Sequence, residues 1–200
     1  MFEKMRERWT KAIHPLVLRL GGLDPSVLTW SSLALALIAF YLLMGAEEDS
    51  SGSLAIAGAV VIILIAAILD GLDGALARHQ GVDGDYGDFL DHTIDRIVDV
   101  GLLVAIGMNT AFIDDPSSGY LAALLTLFGS YMGTQAQSVG LGRIYGGFSR
   151  ADRMVITLVS LLVAAWQAQA GVSGLDLSEM NRFVESVSYT HLTLPTICSV

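Results

Sequence analysis

Five stretches of this chain are apolar for nearly the length of a helix that crosses a lipid bilayer, about 20 residues. They lie at about 27–45, 53–70, 88–113, 120–141 and 153–170 of a 200-residue sequence. A soluble domain of that size has too little interior to hide them. Hydrophobic residues reach 53% and charged residues only 16%, against roughly 45–50% and 25% in soluble domains. The runs are apolar all round and lack the period-two alternation of a membrane β-barrel. The expected fold is therefore all-α, a polytopic bundle of transmembrane helices.

Basic residues set the expected orientation. Lys4, Arg6, Arg8, Lys11 and Arg19 precede the first span, Arg78 follows the second, and Arg143, Arg150 and Arg153 precede the fifth. The opposite loops carry Glu47, Glu48, Asp49, Asp114 and Asp115 instead. By the positive-inside rule the amino terminus and the loops after spans two and four face the cytoplasm. Residues 1–22 combine those cations with Met5, Trp9, Ile13, Leu16 and Leu20 at roughly helical spacing, the pattern of an interfacial amphipathic helix, with Pro15 a point of interruption. A topology anchor is the preferred role for this segment, ahead of a direct part in substrate binding.

The informative charges are acidic. Asp70, Asp73, Gly74 and Ala77 follow the apolar run 54–69 at spacings that put them on one face of a helix, and Gly87, Asp91 and Asp95 share a face of the next. A short connection lets the two faces meet, so four carboxylates converge. Such a group stays ionised in a low-dielectric site only if cations neutralise it, and hard oxygen ligands select magnesium, manganese or calcium. Charge at a membrane boundary is costly and marks function.

Asp70, Asp73, Gly74, Ala77, Arg78, Gly87, Asp91 and Asp95 together resemble the signature of the CDP-alcohol phosphotransferase family, integral membrane enzymes of phospholipid synthesis. Leu23-Asp24-Pro25 with Thr29 is similar to the segment before that family's first span, and Gly147 to Arg153 to its later arginine-bearing loop. The resemblance covers residues 23–171 and implies displacement of CMP from a CDP-linked lipid by the hydroxyl of a small polar alcohol. It implies two Mg2+ or Mn2+ ions on Asp70, Asp73, Asp91 and Asp95, with Asp95 also the general base. CDP-lipid contacts are implied for Asp73, Gly74, Ala77, Arg78 and Gly87. Small residues let a nucleotide approach the helix backbone, and Arg78 offers a planar fork to a phosphate.

The arginine loop resembles that of archaeal and bacterial members that use inositol phosphate, which favours Arg143, Arg150 and Arg153 as a site for the acceptor's phosphate. Glycerol phosphate or serine are the alternative acceptors, and anchoring of the fifth span is the alternative role for the arginines. A divalent-cation transporter is the alternative of another class, but it leaves Gly74, Ala77 and Arg78 unexplained. A membrane prenyltransferase would separate its two aspartate motifs more widely.

The remaining features are secondary. Asp83 and Asp85 are expected to be solvated and Asp88 to stand behind the ligands. Asp99 lies a turn deeper and needs a partner, whereas Arg96 is expected to point away from Asp95. His79 and His92 are expected to be peripheral, and Gln135 and Gln137 to bond neighbouring helices. Gly129 and Gly133 begin a small-residue stripe that suits packing within the monomer or a homodimer seam, the latter in keeping with the resemblance. The net charge of −9, without a basic stripe, excludes a nucleic-acid partner, and the single cysteine, Cys198, excludes an internal disulfide or zinc cluster. Residues 172–186 are expected to be a polar segment before a missing sixth span. Residues 187–200 lack periodicity and resemble translated adapter sequence, an expected non-native tail.

Overall fold

The computed structural model describes residues 13–141 and 150–171, and among them it is wholly helical. Helix α1 is described over residues 13–19. It is followed by α2 (Pro25–Met44), α3 (Ser50–Gln80), α4 (Asp85–Gly107), α5 (Ser117–Ser138) and α6 (Arg150–Ala170). The five long helices coincide with the five expected spans. Three of them, α2, α3 and Asp152–Ala170 of α6, are long and apolar enough by composition to cross a membrane. Helices α4 and α5 have 23 and 22 residues, or roughly 33 Å each at the pitch of an α-helix; α4 is less apolar because aspartates recur along it from Asp85 to Asp99.

Local sequence explains the helix ends. Asp24 caps α2 by accepting from Ser26 N–H at 2.9 Å, and Pro25 takes the first helical position, where a missing N–H costs nothing. Asp49 caps α3 by accepting from Gly52 N–H at 2.7 Å, which holds its carboxyl below the usual range. Helix α3 then runs unbroken for 31 residues and stops at Gly81, whose φ of 68° only glycine adopts without strain. There Val82 N–H reaches back to Ala77 O at 3.1 Å.

Helix α3 is the axis of the bundle, packed against α2 on one side and α6 on another, while α4 packs on both α2 and α5. The core uses alanine where helices approach, at Ala36, Ala39, Ala59 and Ala164, and fills between them with Phe40, Ile56, Ile63, Ile106 and Leu161. Outward-facing Trp30, Tyr41, Leu54, Val61, Leu124 and Trp166 are exposed, as suits a protein whose exterior solvent is lipid. Helix α1 continues past Pro15 and buries Ile13 and Val17 against Leu28, Leu72 and Leu76. Its apolar face therefore packs onto the bundle.

A backbone contact between α4 and α5 was not among the expectations. A Cβ built on Gly119 would stand 2.6 Å from Gly107 Cα, and one on Gly107 would stand 2.9 Å from Gly119 Cα, so the two helices touch main chain to main chain there. A Cβ added at Gly129 or Gly133 would meet nothing within 4 Å. Among the described residues, no close helix approach therefore requires a glycine at either position.

One buried side chain closes the end of the bundle opposite the acidic motif. Asn109 Nδ2 donates to Leu43 O at 2.6 Å and Ala46 O at 2.9 Å, and its Oδ1 accepts from Ala111 N–H at 2.9 Å and Phe112 N–H at 3.1 Å. The amide's hydrogen-bonding capacity is spent on backbone groups of two loops. Asn109→Leu strips partners from all of them and is expected to cost about 3 kcal/mol or more. Thermal unfolding in detergent should show a clearly lowered Tm, and an unchanged Tm would contradict this accounting.

Candidate active site

The acidic motif occupies the last third of α3 and the first half of α4, and the short turn at 81–84 folds the two faces together. Asp70, Asp91 and Asp95 each offer a carboxylate oxygen within 4.8 Å of the others. All three are partly buried. Such close carboxylates repel one another unless protonated or neutralised. A second observation bears on whether a cation fits: Asp95 Oδ1 is buried and has no hydrogen bond. That oxygen faces a guanidinium of α6 rather than a hydrogen-bond donor in line with it, and an all-carboxylate donor set suits a hard divalent ion.

Asp73 stands beside the trio rather than in it. It is only 5% exposed. Its Oδ2 accepts from the Thr29 hydroxyl at 2.5 Å and its Oδ1 from Gly74 N–H at 2.5 Å. The expected convergence of four carboxylates is thus three plus a neighbour whose oxygens are held by α2 and by its own helix.

The other motif residues line a cleft of about 730 Å³ between the α1–α2 turn, the end of α3 and the start of α4. Its walls include Thr29, Asp73, Gly74, Ala77, Arg78, Gly87 and Asp91. The volume falls in the usual range for small-molecule sites, roughly 300–1,000 Å³. A Cβ on Gly74 would come within 3.4 Å of Arg78 Nη1, and one on Gly87 would meet nothing within 4 Å. A side chain at position 74 would therefore touch the arginine, and one at position 87 would project into open space. Gln80 Nε2 fixes the rim by donating to Gly21 O at 3.1 Å and Leu23 O at 2.8 Å. Asp83, Asp85 and Asp88 are exposed on the same rim.

Behind the trio lies a charge network. Arg150, at the start of α6, places Nη2 2.8 Å from Asp95 Oδ1, and its Nε donates to Asp99 Oδ1 at 3.0 Å and Oδ2 at 3.2 Å. The Asp95 contact is an ion pair in distance without hydrogen-bond alignment. Arg96 does not point away from Asp95 as expected: its Nη2 is 3.8 Å from Asp95 Oδ2 and its Nη1 3.7 Å from Asp99 Oδ2. The guanidinium bends back along α4, and Nη1 also donates to Ser130 Oγ of α5.

Among the three arginines expected to hold an acceptor phosphate, Arg150 thus reaches the carboxylates. Arg153 is half-buried and shares a small cavity with Asp99, Thr126 and Thr157. Arg143 lies outside the described residues, as do most of the loop before α6, the segment at 172–186 and the tail from 187. His92 Nδ1 lies 3.6 Å from Asp91 Oδ2, while His79, Gln135 and Gln137 are exposed.

Sequence reasoning did not assign roles to Thr29, Gln80, Ser130 or the Arg96 contacts. The one available signal was Asp99, a carboxylate too deep to lack a partner.

The family model described as CDP-alcohol phosphatidyltransferase matches residues 23–177. An uncharacterized protein of Aquifex aeolicus is 36% identical over 108 residues, which are 52% of this chain and 55% of that one. The chain therefore spans about half the length of this relative. The archaetidylinositol phosphate synthase of Pyrococcus horikoshii is 34% identical over 149 residues, 72% of each chain. Among solved structures, Mycobacterium tuberculosis phosphatidylinositol phosphate synthase with CDP-DAG bound superposes with a TM-score of 0.66 at 25% identity, covering 93% of this chain and 90% of that one.

Proposed function

This chain belongs to the CDP-alcohol phosphatidyltransferase family, and from that premise we propose that it transfers a phosphatidyl or archaetidyl group from a CDP-linked lipid to inositol phosphate, releasing CMP. The observation that carries the reading is the joining of an acidic trio to a cleft whose lining includes Gly74, Ala77 and Arg78. The names of the relatives, archaetidylinositol phosphate synthase and phosphatidylinositol phosphate synthase, support the acceptor.

Asp70, Asp91 and Asp95, with Asp73 alongside, are the residues that would hold Mg2+ or Mn2+, in two ions, and the metal would supply neutralisation of the diphosphate's charge during transfer. Gly74, Ala77 and Gly87 let the cytidine diphosphate lie against the helix backbone, and Arg78 forks onto a phosphate. Asp95 takes the proton from the acceptor hydroxyl. That oxygen bonds the lipid-side phosphorus as the bond to CMP breaks, and CMP departs with the electron pair. Arg150 and Arg153 at the start of α6, with Arg143 preceding them in sequence, bind the acceptor's own phosphate. The arginine distribution supports a cytoplasmic site, where CDP-lipids and polar acceptors meet, and a homodimer in the membrane is the working unit we propose.

Purified protein given radiolabelled CDP-lipid, Mg2+ and a panel of inositol phosphate, glycerol phosphate and serine should release CMP with inositol phosphate alone. Release with another alcohol reassigns the acceptor, and divalent-ion flux without release replaces the enzyme by a transporter. Arg150→Ala and Arg153→Ala should each raise the KM for inositol phosphate roughly tenfold to a hundredfold, the effect of losing one charged hydrogen bond of about 1.5–3 kcal/mol. The KM for CDP-lipid should hardly move; equal weakening of both would identify a structural anchor.

A further inference from the structure

The charge network behind the trio contains two residues to which the transfer itself gives no task, Arg96 and the carboxylate it pairs with, Asp99. Asp99 is 7% exposed, lies a helical turn deeper than Asp95, and meets guanidinium groups from two helices. Both of its oxygens lie within 3.2 Å of Arg150 Nε, while Nη2 on the same edge of that guanidinium reaches Asp95 Oδ1 at 2.8 Å. The planar fork is thereby fixed at two points one turn apart on α4, which sets both its position and its plane. Arg96, gripping Asp99 from α4 and Ser130 of α5, closes the network from the other side. A buried carboxylate between two arginines is costly to desolvate and worth little as a stabiliser.

We infer that Asp99 is a positioning residue: it holds Arg150 at the edge of the carboxylate trio, so that the arginine meets the acceptor's phosphate in register with the hydroxyl that Asp95 deprotonates. The inference rests on the reading of Arg150 as an acceptor-phosphate ligand. Without Asp99, Arg96 and Arg150 are left with Asp95 as their shared counter-ion. Arg150 then keeps only its existing contact with Asp95, and a fork held at one point instead of two is free to turn. Acceptor binding suffers, whereas Gly74, Ala77 and Arg78 stand on α3, apart from the helices that carry Asp99 and Arg150, and keep their places.

The test compares Asp99→Asn, Asp99→Glu and Arg150→Ala in the full-length protein, with inositol phosphate as the acceptor probe and Mn2+ alone as the metal probe. Asp99→Asn should raise the KM for inositol phosphate at least tenfold, leave the KM for CDP-lipid within about twofold, and leave Mn2+ binding unchanged. Asp99→Glu keeps the charge but displaces it by a methylene, and should show the same selective rise in smaller measure, which preserves the test if Asp99→Asn does not fold. A selective rise in Arg150→Ala with wild-type acceptor KM in the Asp99 variants overturns the positioning role alone. No rise in Arg150→Ala overturns the reading beneath it. Parallel loss of both substrates and of Tm in the Asp99 variants reduces the residue to a structural tie.

Discussion

Asp95→Asn is expected to abolish turnover while most CDP-lipid and metal binding survives. Asparagine keeps the shape of the side chain and one carbonyl oxygen toward the trio, but it cannot accept a proton. General-base catalysis contributes typically 10²–10⁴-fold, so the rate of CMP release at saturating substrates should fall by at least about a hundredfold. The charge network tolerates the change, because Arg150 Nε remains on both oxygens of Asp99. Near-normal turnover would reject Asp95 as the base. Loss of CDP-lipid affinity in proportion to the rate would mean that the carboxylate acts mainly in binding.

Asp70→Ala and Asp91→Ala should behave differently, losing Mn2+ binding and activity together. Each removes one of three carboxylates whose oxygens lie within 4.8 Å of one another, and alanine, unlike asparagine at position 95, leaves no oxygen in its place to ligate a hard cation. The metal-free protein gives an independent check with the opposite sign. Three crowded carboxylates destabilise it, so removing one relieves repulsion and should raise the metal-free Tm. Meanwhile the rise in Tm that Mn2+ gives the wild type should vanish, since stabilisation by a ligand requires its binding to the folded state. Calorimetric titration with Mn2+ and thermal unfolding with and without the ion read both effects. A variant that still takes up a full complement of Mn2+ would show its missing aspartate to be no ligand.

Much of the architecture was legible because a membrane helix must satisfy its backbone within itself and show an apolar exterior over a fixed length. The five expected spans therefore fall on α2 to α6. The acidic trio was legible for a related reason: spacings of three and four residues fix a face, and a turn as short as 81–84 leaves two consecutive faces little choice but to meet. Contacts between elements distant in sequence left no such trace. Thr29 lies 44 residues from Asp73, and only the crossing of α2 over α3 makes its hydroxyl the partner that holds Asp73 beside the trio. Gly107 and Gly119 stand on different helices and share no periodic stripe, while Gly129 and Gly133, which do, face open space among the described residues. Arg96 shows the limit of the helical-wheel argument itself. Its Cα projects away from the row of Asp95 and Asp99, but a side chain that long bends back to both.

The unbroken run of α3 also makes the molecule a gauge of its surroundings. From Ser50, at the capped end, to Asp70 the helix rises roughly 30 Å, the thickness of a typical hydrocarbon core. With Asp49 in one headgroup layer, the carboxylates arrive at the other, level with the lipid headgroup they must meet. No hinge lies between to absorb a mismatch. A thicker bilayer draws Asp70 below the headgroup plane, a thinner one lifts the cleft above it, and correction by tilt costs fractions of a kcal/mol per Å. The transfer proposed above is therefore expected to run fastest in vesicles whose hydrocarbon core is close to that thickness, which a series of acyl-chain lengths would read.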